Sequence, residues 1–183
     1  MNNGDSLTNK IIELKMQYKD LSIQHFMNYE LFTWVWWFGI FCAIIPLILW
    51  WKVVDRKRIL EITILGLVVN VSATILDVFG SEFALWEYIV RILPQIPLLF
   101  PVDYILLPII EMLIYQRFPK WKGFIIANIF AAAILSFAVE PLATLIGQYR
   151  LISWKYVYSF PIYIIIAAFS KYVTERIVLH KTE

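Results

Sequence analysis

An all-α, polytopic membrane helix bundle is the fold class that this sequence predicts, on three observations. Apolar residues make up 61% of the chain and charged ones only 16%, against roughly 25% charged in soluble domains. The apolar residues fall into runs of about 20, the length that crosses a bilayer. Lys and Arg collect in short clusters between those runs, where orientation in a membrane is decided. The 183 residues leave room for five spans, short loops and one tail, so residues 1–30 are read as a surface helix and 31–183 as a single transmembrane bundle.

Residues 10 to 30 place Ile11, Leu14, Tyr18, Leu21 and His25 at steps of three and four, the spacing of an amphipathic helix lying on the membrane or packed on the bundle. His25 has no second His or Cys at ligand spacing, so it reads as a surface or packing residue. No basic stretch followed by an apolar one opens the chain, so no cleavable signal peptide is expected and the first span serves as the insertion signal.

The first span covers about 31–51. Trp34, Trp36 and Trp37 lie near one end and Trp50 and Trp51 at the other, roughly 26 Å apart at helical rise, which matches the two interfacial belts. Lys52, Arg56, Lys57 and Arg58 follow as the densest basic cluster and are expected on the cytoplasmic side.

The second span, about 59–79, sets Thr63, Gly66, Asn70, Thr74 and Asp77 along one face. Such a face suits a hydrogen-bonded seam between helices. Residues 83–95 carry Glu82 at their edge, Glu87 and Arg91 within, and Pro94. This predicts an interfacial or re-entrant helix on the outer side.

The third span, about 98–118, holds Asp103 and Glu111, and ends at Arg117, Lys120 and Lys122. The fourth, about 123–146, sets Asn128, Ala132, Ser136 and Glu140 at steps of four, with Pro141 loosening the helix after Glu140. The fifth, about 159–173, ends at Lys171, Arg176 and Lys181. Most of the 16 Lys and Arg then lie inside, with the N-terminus outside and the C-terminus cytoplasmic in the cell membrane.

An ionised carboxylate at membrane depth costs several kcal/mol unless it is paired, protonated or hydrated. Asp103 and Glu140 both come to lie roughly 9 Å below the outer boundary, with Asp77 slightly above and Glu111 roughly 12 Å deeper than Asp103. Asp77, Asp103, Glu111, Glu140, Asn70 and Asn128 therefore form the candidate polar site, and Arg91, Arg150 and Lys155 its possible counter-charges. Binding or passage of a small solute, cation or proton is one reading of this set. A structural or partner-binding role built on buried salt bridges is a second, and an intramembrane enzyme acting on a lipophilic substrate through a carboxyl general acid is a third.

The net charge of +2 and the scattered basic residues give no nucleic-acid footprint. Cys42, the single cysteine, permits neither an internal disulfide nor a thiolate cluster. No metal-ligand, phosphate-loop or Ser-His-Asp pattern is present, so no cofactor is expected. The partner that the sequence implies is the lipid bilayer; it leaves a homo-oligomer or a membrane-protein partner open.

The segments WWKVVDRKR, LPQIPLLFPVDYILLP, FPKWKGFIIAN, EPL and YSFPIY, in that order between about Leu31 and Lys171, together resemble a family of small multi-span membrane proteins common in endospore-forming bacteria. Members of that family carry no assigned activity, so the resemblance implies membrane location and no site residues. A shorter resemblance is to membrane enzymes of the lycopene cyclase type, in which Pro-x-Glu-Glu lies in a membrane helix. The matching text here is Pro101-Val102-Asp103, without the second acid.

Overall fold

The computed structural model describes residues 3–94 and 101–179. The chain runs α1 (Asn3–His25), a π turn (Phe26–Glu30), α2 (Trp34–Val53), α3 (Ile59–Glu82), β1 (Trp86–Tyr88), a second π turn (Val102–Leu106), α4 (Leu107–Arg117), α5 (Trp121–Ile134), a third π turn (Leu135–Val139), α6 (Glu140–Leu145), β2 (Tyr149–Leu151) and α7 (Tyr156–Leu179).

Four helical rods among the described residues are long and apolar enough to cross a membrane: Trp34–Val53, Ile59–Glu82, Trp121–Leu145 and Tyr156–Val178. Their outward faces carry Phe41, Ile48, Leu67, Ile75, Phe130 and Ile165, all exposed. That surface suits lipid, and backbone groups satisfied within helices are what lipid demands.

The expected third span corresponds to the helix running from Val102 through Arg117. Its upper end, from residue 98 to 100, lies outside the described residues, as do Gln95 and Pro97.

The core forms where α3 packs against α4 and α7, and α5 against α7. Ile62, Leu65 and Val69 of α3 meet Leu107 and Met112 of α4, Phe124 of α5 and Ile166 and Ala167 of α7. At Gly66 an added Cβ would stand 2.6 Å from the Met112 sulfur, so the small residue read from sequence as a packing position lies directly against α4. α2 sits at the periphery, against the second π turn and α4. Thr33 begins it, accepting the Trp36 amide at 3.2 Å.

One element differs from the sequence expectation. Residues 83–94 contain no helix: Ala84 takes a positive φ of 50°, and Trp86–Tyr88 pairs antiparallel with Tyr149–Leu151, setting Glu87 opposite Arg150. Backbone groups that neither loop satisfies by itself are thus paired between the two loops. The Leu85 carbonyl also accepts the amides of Ile152, Ser153 and Trp154, and the Gln148 carbonyl those of Ile89 and Val90. α1 is exposed along nearly all its length, and this part of the chain meets the bundle through Ser22 of α1 and Phe26 and Glu30 of the first π turn.

Two of the π turns have a covalent cause. Pro108 and Pro141 lack the amide hydrogen that would reach four residues back, to Tyr104 and Phe137, so the helix widens there. Asp103 lies inside the first widened turn, and Glu140 directly follows the second.

Candidate functional site

Under the paired loops, on the outer side by the expected topology, lies a cavity of about 210 Å³. Asp77 of α3, Asp103 of the second π turn and Glu140 at the start of α6 all line it. The sequence had placed these acids at similar depth, and the fold brings them to one chamber. Tyr88, Tyr149, Tyr163, Ser159, Trp86 and Trp154 share its wall, and Leu107, Leu135 and Ile166 contribute its apolar portion.

Hydroxyls donate to the carboxylates of Asp77 and Glu140. Tyr88 donates to Asp77 Oδ1 at 2.7 Å. Glu140 Oε1 accepts from Tyr163 at 2.8 Å, and Oε2 accepts from Ser159 at 3.0 Å and from Tyr149 at 3.3 Å. Ser159 in turn accepts the Trp154 indole N–H at 3.0 Å. Burial, and then the charges of Asp103 and Asp77, push the Tyr88 hydroxyl far above its ordinary value. Burial and then Glu140 push Tyr149 up likewise. Both therefore stay protonated and serve as hydrogen-bond donors.

Aromatic rings complete the enclosure. Trp86 meets Trp154 edge-on at 5.2 Å between centroids, and Tyr88 lies 6.1 Å from Tyr149. Gly80 makes this possible, because a Cβ there would lie 2.0 Å from the Trp86 indole. Leu76, Phe79 and Phe83 also border the chamber and are themselves exposed on the bundle surface. One side of the cavity is therefore framed by lipid-facing side chains.

The remaining candidate residues lie elsewhere. Glu111 is buried in the core of the bundle, 2% exposed, and it does not line the cavity. Asn128 stands beside it, with its amide donating to the Phe124 carbonyl at 3.1 Å. Leu107 separates Glu111 from Asp103 by one turn on each side, and with Leu135 and Ile166 it belongs to the main hydrophobic core. Asn70 is half-buried on α3 and is not part of the wall.

The three basic residues read as counter-charges stand outside the cavity. Arg150 and Lys155 are exposed, the former opposite Glu87 in the strand pair. Arg91 is buried against Glu30, with Nη2 at 2.6 Å from Oε1 and its own amide donating to Oε2 at 2.7 Å, while Nη1 donates to Ser22 at 2.8 Å. His25 Nδ1 lies 2.8 Å from Glu30 Oε1. Burial raises the Glu30 carboxyl, and the bonds from Arg91 and His25 outweigh it and hold the group below its ordinary value.

At the opposite end of the bundle from the cavity a second polar cluster forms around Tyr115, which donates to Glu61. Arg58 also donates to Glu61, at 3.2 Å. Lys171, fully buried, reaches the Pro119 carbonyl at 2.8 Å and sits over the rings of Tyr115, Trp121 and Phe124.

Sequence reasoning missed Glu30 and the particular hydroxyls of the cavity. Ser159 and Tyr163 share a face of α7 at a step of four, a signal available in the sequence. Tyr88 and Tyr149 become neighbours only through strand register, which neither loop reveals alone. The chain matches no family model, no curated protein and no solved structure.

Proposed function

We propose that this integral membrane protein crosses the cell membrane five times, with its N-terminus outside and its C-terminus cytoplasmic, and binds a small solute in the outer-side cavity. The observation that carries the reading is the chamber itself: a space of about 210 Å³ framed by Asp77, Asp103 and Glu140 from three segments of the bundle. A volume near seven times that of a liquid water molecule is ample for a small organic solute.

The salt-bridge alternative requires a basic side chain beside each acid. No Lys, Arg or His is among the described residues lining the cavity, and Glu140 accepts from the hydroxyls of Tyr149, Ser159 and Tyr163. The enzyme alternative requires a carboxyl that donates a proton, whereas the bonds around Glu140 run toward it.

Counting Val102–Arg117 as a fifth span is supported by its position between α3 and α5 in the core. Leu107, Leu135 and Ile166 line the cavity and belong to the main hydrophobic core, and Glu111 does not line it, which supports binding over passage.

The test uses the single native cysteine. In a Cys42→Ser background, Ala143→Cys on the cavity wall reacts with methyl methanethiosulfonate, a small neutral reagent, well ahead of Ala132→Cys, which is buried in the bundle away from the cavity. Equal rates at the two positions would exclude an accessible chamber.

A further inference from the structure

We infer that the solute is a compact organic ammonium ion. This rests on the proposed binding at the cavity and adds the chemical class of the occupant.

The first argument is the direction of the hydrogen bonds. The Trp154 indole can only donate, so Ser159 accepts at 3.0 Å and directs its own proton to Glu140 Oε2. Tyr149 and Tyr163 extend the same shell of donors. A shell of donors suits an ionised carboxylate, which only accepts. The cavity thus holds negative charge at Glu140, two further carboxyl groups line it, and its described lining residues include no Lys, Arg or His.

The second argument separates an organic from an inorganic cation. Among the described residues no three acidic, His or Cys side chains stand close enough to hold one metal ion. The three carboxyl groups surround a space instead of converging on a point, so a ligand must carry its charge on a body of some size. Rings of Trp86, Trp154, Tyr88 and Tyr149 enclose that space. An ammonium ion with alkyl substituents satisfies both features, its charge answered by carboxylates and ring faces and its hydrocarbon by the same rings. The exposed Phe79 and Phe83 at the border give the hydrocarbon a compatible entry side.

Choline and its neutral isostere 3,3-dimethylbutan-1-ol, which differ by one charge at nearly equal shape, provide the test. Full-length Cys42→Ser/Ala143→Cys protein is reconstituted in lipid nanodiscs and labelled with methyl methanethiosulfonate in the presence of each. Choline is expected to slow labelling at a concentration at least about ten times lower than the neutral compound requires, the factor that one desolvated cation–π contact supplies. The advantage shrinks when Glu140→Gln or Asp103→Asn is added; unfolding temperature confirms that the variant is folded, and either variant suffices if the other fails to fold. Labelling that choline and its isostere slow equally, or that neither slows, overturns the ammonium inference and leaves the chamber reading intact. Absence of labelling at Ala143→Cys overturns both.

Discussion

Glu30 and Arg91 lie 61 residues apart in the chain and share three hydrogen bonds, with the carboxylate fully buried and the guanidinium nearly so. The pair joins the end of α1 to the loop that carries β1, so the tail and the roof of the cavity are mechanically one unit. Arg91→Ala leaves a buried carboxylate uncompensated and is expected to cost about 3–5 kcal/mol. Thermal unfolding in detergent reads this, and a variant as stable as wild type would show that the tie contributes nothing.

The same pair makes stability depend on acid. Because Glu30 is held below its ordinary 4.5, the tie is at full strength from neutrality down to that value. Below it the unfolded chain binds a proton that the folded carboxylate resists, and the contribution is lost as pH falls through the folded value. Unfolding temperature against pH is therefore expected to fall more steeply below pH 4.5 for wild type than for Glu30→Gln. Parallel curves would contradict it.

Gly80→Ala places a methyl group 2.0 Å from the Trp86 indole, and a flat, enclosed ring yields poorly. Overpacking of this kind costs about 1–3 kcal/mol, and the displaced ring is expected to change labelling at Ala143→Cys. Gly66→Ala is the control, since it meets the flexible Met112 thioether, and its cost is expected to be smaller. Equal penalties would mean that the indole is not held against α3.

Tyr163→Phe deletes the only hydroxyl bonded to Glu140 Oε1 among the described contacts. Hydrogen bonds to charged groups contribute about 1.5–3 kcal/mol, so a loss in that range is expected in unfolding experiments. In the Glu140→Gln background the same substitution is expected to cost less, because a neutral amide replaces the charge. Additive losses would separate the two side chains energetically.

Glu111→Gln tests the deep acid. Glu111 Oε2 has no hydrogen-bond partner among the described residues, and a buried charge without full compensation is costly. The isosteric amide is expected to leave stability unchanged or raise it. A loss above about 1 kcal/mol, the scale of one ordinary hydrogen bond, would show that the carboxylate is paired in the membrane.

Much of this architecture was legible in the chain. Apolar runs near 20 residues gave four rods whose limits differ from expectation by a few residues at most ends, because length and hydropathy are local properties that lipid rewards directly. Counting residues from the expected outer ends of their spans set Asp77, Asp103 and Glu140 at similar depths, and helical rise with the expected topology carried that inference. Arg91 shows where such reasoning ended: its place in an expected outer loop suggested the intramembrane acids as partners, yet its partner is Glu30, with which it shares no local pattern. Residues 83–94 were read as helical because strand pairing between distant loops leaves no periodic trace in either one.

By itself the sequence determined that this is a helical chain with apolar rods of membrane-spanning length, since that follows from composition and the fixed geometry of the helix. Only the tertiary structure decided what each acid faces. Glu140 meets Tyr149, Ser159 and Tyr163, while Glu111 lies in the packed core of α4. Helix rotation and strand register set those neighbours, and both are fixed by packing among segments far apart in the chain.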